Sequence, residues 1–167
     1  NQNAGGAHLD NGALMANCLI TDNTSRDGGG IVLTSGSVIN CTVTTNSAWS
    51  GYAVYKSGGT ITNSIIYFNT GNANINTESG VSYSCAPELT SELDGNITAD
   101  PLFINPEVGD WRLSFKEQRS PCIDSGDSDS MEWTTDLAGN PRIQNKEIDM
   151  GAYESLWTPA GAVVIIR

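Results

Sequence analysis

Apolar and polar positions along this chain repeat with a fixed period of 23 residues from Gly5 to Ala73, without a gap. The columns Met15, Val38, Ile61 and Ile20, Val43, Ile66 are apolar, while Gly5, Gly28 and Gly51 coincide. Asn17, Asn40 and Asn63 fall together, as do Asn23, Asn46 and Asn69, and Cys18, Cys41 and Ser64 form a column of small side chains. A period in the twenties marks a solenoid, in which each repeat contacts only its neighbours. The repeats are rich in Val, Ile, Thr, Ser, Asn and Gly, which suits strands and turns, and they lack a Leu-x-x-Leu-x-Leu frame. Within one repeat, strands are predicted at Gly30 to Leu33, Ser37 to Ile39 and Cys41 to Thr45, with a turn at Thr34-Ser35-Gly36. Alternation slips at Asn40: Val38 belongs to the inward set, and so do Cys41 and Val43. A period-2 pattern that slips by one residue marks a corner. The predicted fold is all-β, a right-handed parallel β-helix of three-strand coils, its hand following the general preference of parallel crossovers.

The Asn columns have a physical reading. Asn tolerates the left-handed region at a corner, and amides stacked about 4.8 Å apart can donate and accept along the column. Two ladders are therefore expected, Asn17, Asn40, Asn63 and Asn23, Asn46, Asn69.

Beyond the clean repeats, Asn74 to Gly80 reads as a polar loop, Val81 to Cys85 as a strand in a deformed fourth coil, and Pro87 to Gly95 as an acidic excursion. Residues 1–95 are thus assigned to the coils and 96–154 to a C-terminal cap. Short strands are predicted at Asp110 to Ser114, Pro121 to Asp124, Asn140 to Ile143 and Glu147 to Glu154. Leu102, Phe103, Trp111 and Leu113 are large apolar residues of a kind the coils lack, suited to a lid over the open end of the core. Asp136, Arg142 and Asp149 suggest an internal ion pair fastening that lid. Residues 155–167 end in Val163-Val164-Ile165-Ile166-Arg167, a strand signal that docks on the cap or opens a further module.

Composition sharpens this picture. The 167 residues carry a formal charge of −11, which argues against a phosphate-backbone partner and so against nucleic acid. No apolar run is long enough to span a membrane. The chain opens in mid-repeat without a visible cap and reads as a piece of a longer protein. Of the four cysteines, Cys18 and Cys41 share a column with parallel Cα–Cβ vectors, which suits buried thiols better than a disulfide. For Cys85 and Cys122, outside the repeats, thiol and disulfide both remain open.

The strings Asp100-Pro101-Leu102-Phe103, Gly109-Asp110-Trp111-Arg112-Leu113, Ser120-Pro121-Cys122-Ile123-Asp124-Ser125-Gly126, Thr135-Asp136-Leu137-Ala138-Gly139-Asn140-Pro141-Arg142 and Ile148-Asp149-Met150-Gly151-Ala152-Tyr153-Glu154 follow in order. Together they resemble the terminal region of the choice-of-anchor Q family, bacterial surface proteins with right-handed parallel β-helices. The Asn-Cys-Thr-Val and Gly-Gly-Gly-Ile strings upstream are similar to the repeats of those proteins and to polymorphic outer-membrane protein repeats. The resemblance implies export, a cell-surface or extracellular location and often a Bacteroidota source. It implies no agreed activity and supplies no catalytic residues.

Candidate chemistry is sparse. Glycoside hydrolysis needs paired carboxylates facing one sugar, yet Asp10, Asp22, Asp27 and Glu78 share no column. The strings associated with β-helical polygalacturonases are missing, and Lys56 has no acid companion. His8 falls at a column otherwise filled by Ile31 and Val54 and reads as an edge-coil substitution. In the acidic run Asp124, Asp127, Asp129, Glu132 and Asp136, Asp127 and Asp129 are weak calcium candidates; a solvated loop with turn-capping Asp residues is favoured. No cofactor and no other metal site are expected. Trp49, Tyr55 and Tyr67 are candidate glycan contacts if exposed. The expected function is a non-catalytic structural or adhesive module. The alternative is the terminal part of a carbohydrate-active or glycan-binding β-helix whose active coils lie N-terminal to Asn1.

Overall fold

The computed structural model describes residues 3–130 and 133–156. Short parallel strands stack into a β-solenoid of about three turns with about 23 residues per turn. One face is the sheet β1 (Ala7–Leu9), β5 (Gly28–Leu33), β9 (Tyr52–Lys56) and β12 (Ala73–Ile75). A second is β2 (Leu14–Ala16), β6 (Ser37–Ile39), β10 (Thr60–Thr62) and β13 (Val81–Ser82). The third is β3 (Leu19–Thr21), β7 (Thr42–Thr44) and β11 (Ile65–Tyr67), with the short pair β4 (Thr24–Ser25) and β8 (Ser47–Ala48) beside it.

On the second and third faces the register between the first three coils follows the sequence period: Met15 pairs with Val38 and Val38 with Ile61, Ile20 with Val43 and Val43 with Ile66. The first face departs from it. Ala7 pairs with Ile31 and His8 with Val32, one residue out of the sequence column, and a bulge between Gly28 and Ile31 restores the spacing so that Ile31 pairs with Val54. His8 therefore stands exposed in a row with Val32 and Tyr55, not in the Ile31–Val54 column, and Gly28 pairs with Tyr52 in place of Gly51.

Two kinds of corner close each coil, and both use the left-handed region. Asn17, Asn40 and Asn63 adopt it at φ 51°, 51° and 53°, which turns the chain and resets the inward alternation from Val38 to Cys41. At the other corner the left-handed residues are Asp22, Thr45 and Phe68, each one position before Asn23, Asn46 and Asn69. The second Asn column is thereby free to turn its amides inward.

Those amides form the ladder. Asn23 Nδ2 donates to Asn46 Oδ1 at 3.0 Å, and Asn46 Nδ2 to Asn69 Oδ1 at 3.1 Å. The backbone N–H groups of Asn23 and Asn46 donate to the same oxygens. The ladder continues to Asn74 Oδ1 and ends on the Glu88 carboxylate. Asn74, expected in a loop, sits in β12, because the fourth coil is shortened: Ile61 pairs with Val81 and Ile65 with Cys85, each 20 residues apart by number. A second internal ladder joins Cys41 N–H to Ser64 Oγ, Ser64 N–H to Ser84 Oγ and Ser84 N–H to Asn96 Oδ1.

The inner core runs from Leu9 and Ile20 through Leu33, Val43, Val54 and Ile66 to Ile75, Val81, Ala86 and Leu89. The fourth coil's own residues thus continue it. Leu102, Phe103, Trp111 and Leu113 do not cover its end, contrary to the sequence reading. Phe103, Trp111 and Leu113 join Cys122, Ile123 and Met150 in a second core against Ile65 and Cys85, while Leu102 is partly buried with a left-handed backbone at φ 52°. Ile65 and Cys85 are strand neighbours of Ile66 and Ala86, which point into the inner core, so this second core lies on the outer face of the third sheet. The terminal region is a flanking layer along the coils. The physical reason lies in that sheet, where Thr42, Ile65 and Cys85 present a row that is apolar or small and needs cover.

The layer is mostly irregular. Among the described residues its hairpin is β14 (Phe103–Asn105) with β15 (Asp110–Leu113); where further strands were expected, Pro121 to Asp124 form a turn, Pro141 makes a single bridge to Thr135, and Glu147 to Glu154 are irregular. The strand expected at Val163 to Arg167, and the module it was to open, lie outside the described residues.

Asn46 is fully buried and holds the ladder at its centre, donating also to Ile20 O and Thr44 O. Asn46→Ala orphans several buried groups at once and is expected to cost about 2–4 kcal/mol. Asn72→Ala, on an exposed loop, is expected to cost below about 1 kcal/mol. Urea unfolding of the two variants checks this; equal midpoints would remove the ladder from the stability account.

Candidate functional site

The chemically densest place in the molecule is the seam where the flanking layer meets the Asn17–Asn40–Asn63 corner. Here the amides do not stack on one another as expected. Asn17 and Asn63 turn their amides to the flanking layer, whereas Asn40 is buried, its Nδ2 makes no hydrogen bond among the described residues, and only its backbone carbonyl meets the layer, at Arg142. Asn63 Oδ1 accepts the Asp127 N–H at 2.7 Å while its Nδ2 donates to Asp127 O at 3.0 Å. One coil away Thr42 Oγ1 accepts the Ala152 N–H at 3.0 Å. In the first coil Asn17 Oδ1 accepts from Arg142 Nη2 at 2.6 Å and Nε at 3.2 Å. Gly151, at φ 92°, lets the backbone press in here, since a Cβ would meet Thr42 Oγ1 at 2.8 Å and Ile65 Cδ1 at 2.9 Å.

Among the described residues Arg142 is the largest fully buried side chain. Its Nη2 also donates to Gly151 O at 2.9 Å and approaches Asn40 O at 3.4 Å. The nearest carboxylate is Glu154, with Nη1 to Oε2 at 3.7 Å. Asp136 and Asp149, the expected partners, stand a shell further out and raise the Arg142 affinity for its proton only through space. Burial works in the opposite sense and prevails, so the guanidinium's affinity for its proton is lowered overall. Asp136 instead organises backbone: its Oδ1 accepts from Ala138 and Asn140 N–H, and its Oδ2 from Glu154 N–H. Asp149 accepts from Asp124 N–H and Ser155 N–H, and its own N–H donates to Glu154 Oε2. The arrangement is a buried hub of one cation and three carboxyls that joins four turns of the layer to the coils.

Burial dominates the acid–base chemistry of the hub. It raises Asp149 to about 6, against the hydrogen bonds from Asp124 and Ser155. Burial, reinforced by the Asp149 charge, raises Glu154 to about 9, so at neutral pH that carboxyl holds its proton. Glu154 and Ser155 are the hub members that sequence reasoning missed. Glu154 closes the string from Ile148 to Glu154, with Ser155 next to it, but nothing in the string marks either as a partner of Arg142.

The other candidates are dispersed. Asp127 Oδ1 accepts the Asp129 N–H at 3.0 Å, a turn-capping contact beside the short 3-10 turn Ser128–Ser130. They line an acidic cleft of about 400 Å³ with Asp124 and Glu147, and Glu132 of the same run lies outside the described residues. Among the described residues no group of three or more His, Cys, Asp or Glu side chains is placed to hold a metal ion. Lys56 is buried, its Nζ donating to Ser79 O at 2.6 Å. Trp49 is 78% exposed on the turn before β9, and Tyr55 in β9 lies 6.4 Å from the Tyr52 ring. Tyr67 is remote from that pair in role: it packs into the second core, edge-on to Phe68, and its hydroxyl donates to Thr98 O. The three aromatics do not form one surface cluster. Cys18 is partly exposed, Cys41, Cys85 and Cys122 are buried, and all four are free thiols.

No family model, curated protein or solved structure matches this chain. No helix among the described residues is long and apolar enough to cross a membrane.

The raised carboxyls have a defined pH signature. Between about 4.5 and 9 the unfolded chain has released the Glu154 proton while the folded chain retains it, so the folded state binds more protons and stability falls as pH rises. Asp149 adds the same sign between about 3.8 and 6. The melting temperature is therefore expected to drop steadily from pH 5 to pH 8, and Glu154→Gln to flatten the slope. A profile rising over this range, or unchanged by Glu154→Gln, would contradict the protonated hub.

Proposed function

We propose that this chain is a non-catalytic, structural or adhesive β-helical module of a bacterial protein exported to the cell surface. The observation that carries the reading is how the polar side chains of the coils are used. Asn23, Asn46 and Asn69 bond one another inside the coil, and Lys56 bonds a backbone carbonyl. Asn17 and Asn63 bond the flanking layer. These groups hold the coils together and leave little to face a substrate. The closing strings that resemble the choice-of-anchor Q family support export and an extracellular setting. The formal charge of −11 disfavours nucleic acid as a partner and suits other surface proteins or neutral glycans.

A second reading, glycan recognition by a carbohydrate-active relative of such modules, is favoured by one observation. Tyr52 and Tyr55 lie together on β9, and the exposed Trp49 leads into that strand. Aromatic rings of this kind stack on the apolar faces of sugars.

Glycan-array binding followed by a reducing-sugar assay separates the two. The structural reading expects no turnover of any polysaccharide, and it admits glycan adhesion only if Trp49→Ala or Tyr55→Ala weakens it at least tenfold. Turnover abolished by a single Asp or Glu substitution would overturn the reading.

A further inference from the structure

The four thiols of this chain occur as two neighbouring pairs, one within the coil ladder and one across the seam between coils and flanking layer. Cys18 and Cys41 stand side by side on neighbouring rungs of one column, just before the register partners Leu19 and Thr42. Their Cα–Cβ vectors run parallel, as the ladder requires, and each thiol donates to the carbonyl two residues before it, in Ala16 and Ile39. Sulfurs so aligned are poorly aimed at one another.

Cys85 and Cys122 approach from opposite walls. Cys85 belongs to the fourth coil, bridged between Ile65 and Ile97, and its side chain enters the second core. Cys122 comes from the flanking layer, in a turn fixed by its N–H to Ser120 Oγ at 3.1 Å and by Met150 N–H to Cys122 O at 3.0 Å. The two thiols meet across the seam, in a pocket walled by Phe103, Leu113, Ile123 and Met150, with no solvent exposure at either residue. As a thiol Cys85 donates to Ala99 O at 3.2 Å, and side chains brought together from two layers are not held parallel by a shared ladder as those of Cys18 and Cys41 are.

We propose that Cys85 and Cys122 are a cross-linking site: under oxidising conditions they form a disulfide that fastens the flanking layer covalently to the coil stack, while Cys18 and Cys41 remain thiols. The inference rests on the fold and not on the functional reading above. With a small-molecule disulfide as oxidant, one cysteine thiolate attacks a sulfur of glutathione disulfide and releases one glutathione thiolate. The second cysteine thiolate then attacks the mixed disulfide at the protein sulfur and releases another. Two protein thiols are oxidised, one glutathione disulfide is reduced to two glutathione molecules, and the protons leave with them. Both residues are sealed from solvent, so the exchange takes place as the layer folds or opens locally, not on the closed molecule. Once formed, the bond closes a loop of 37 residues, from 85 to 122. Such a loop shifts the folding equilibrium by on the order of a hundredfold or more.

The test is refolding of the full chain from denaturant in a mixture of reduced and oxidised glutathione, followed by alkylation and peptide mass mapping. The expected result is two alkylated cysteines, Cys18 and Cys41, and one linked peptide pair containing Cys85 and Cys122. The double variant Cys18→Ser/Cys41→Ser is expected to form the same link, and Cys122→Ser to leave every remaining thiol free. Oxidised refolding should also raise the melting temperature, and dithiothreitol should lower it again. Four alkylated cysteines in the folded product, or a link between Cys18 and Cys41, would overturn the proposal. The double variant decides the matter even if Cys122→Ser fails to fold.

Discussion

The rest of this structure depends on the inward-facing amide ladder of Asn23, Asn46 and Asn69. Parallel coils bond through their backbones along the strands and at most corner positions, but the N–H groups of Asn23, Asn46 and Asn69 bond to side-chain oxygens instead. The ladder answers this twice. In Asn46 and Asn69 the Oδ1 accepts both the backbone N–H and the side-chain Nδ2 of the Asn one coil before. The Nδ2 of each returns to the carbonyl two residues earlier. In a low-dielectric interior a chain of amides satisfied in this way is stabilising, whereas a gap in it leaves orphaned polar groups whose burial is costly. The ladder also fixes the register: a one-residue slip would break every rung.

A solenoid so registered has an outside as well as an inside, and the third sheet is where this matters. Its inward row, Ile20, Val43 and Ile66, fills the inner core; its outward row, from Leu19 through Thr42 and Ile65 to Cys85, forms the wall of a second one. The flanking layer covers that row and is held by polar contacts to each of the three coils in turn, through Asn63, Thr42 and Asn17. Burying Arg142 among Asp136, Asp149 and Glu154 is expensive; the bonds of Nε and Nη2 to Asn17 and Gly151 offset part of that cost, while Nη1 makes no hydrogen bond among the described residues and faces Glu154 Oε2 at 3.7 Å. Asp149 and Glu154 are raised by their own burial, and the Arg142 charge opposes that rise at Glu154. A hub of this kind gives the layer a defined seat, since the guanidinium finds its acceptors at one corner only.

Much of this was legible in the sequence. The 23-residue period, the strand positions of the second coil and the corner at Asn40 follow from alternation and its slip, because a repeat exposes the same environment three times over. The bulge at Gly28–Ile31 was hidden, since three consecutive glycines carry no apolar pattern to betray a change of register. The two Asn columns looked alike, yet one amide ladders inward and the other binds the flanking layer; the difference lies one residue away, in whether the Asn or its predecessor takes the left-handed backbone. The lid was misplaced for a different reason. Apolar residues such as Phe103 and Trp111 announce that they need cover, but not which surface supplies it, and the outward Ile65 that does so looked like one member of an ordinary strand pair. Arg142 was recognised as a fastener but its acceptor, the Asn17 amide 125 residues away in number, carries no local signal at all.

The central claim is that the terminal region seats along the side of the coils through the first-coil corner. A double-mutant cycle between Arg142→Ala and Asn17→Gly, read by urea unfolding, tests it most directly; Gly keeps the left-handed backbone at position 17 while removing the amide. A charged hydrogen bond in this buried setting predicts a coupling of about 1.5–3 kcal/mol between the two substitutions. Additive effects, with a coupling near zero, would contradict the side-on seat and favour a lid over the end of the core.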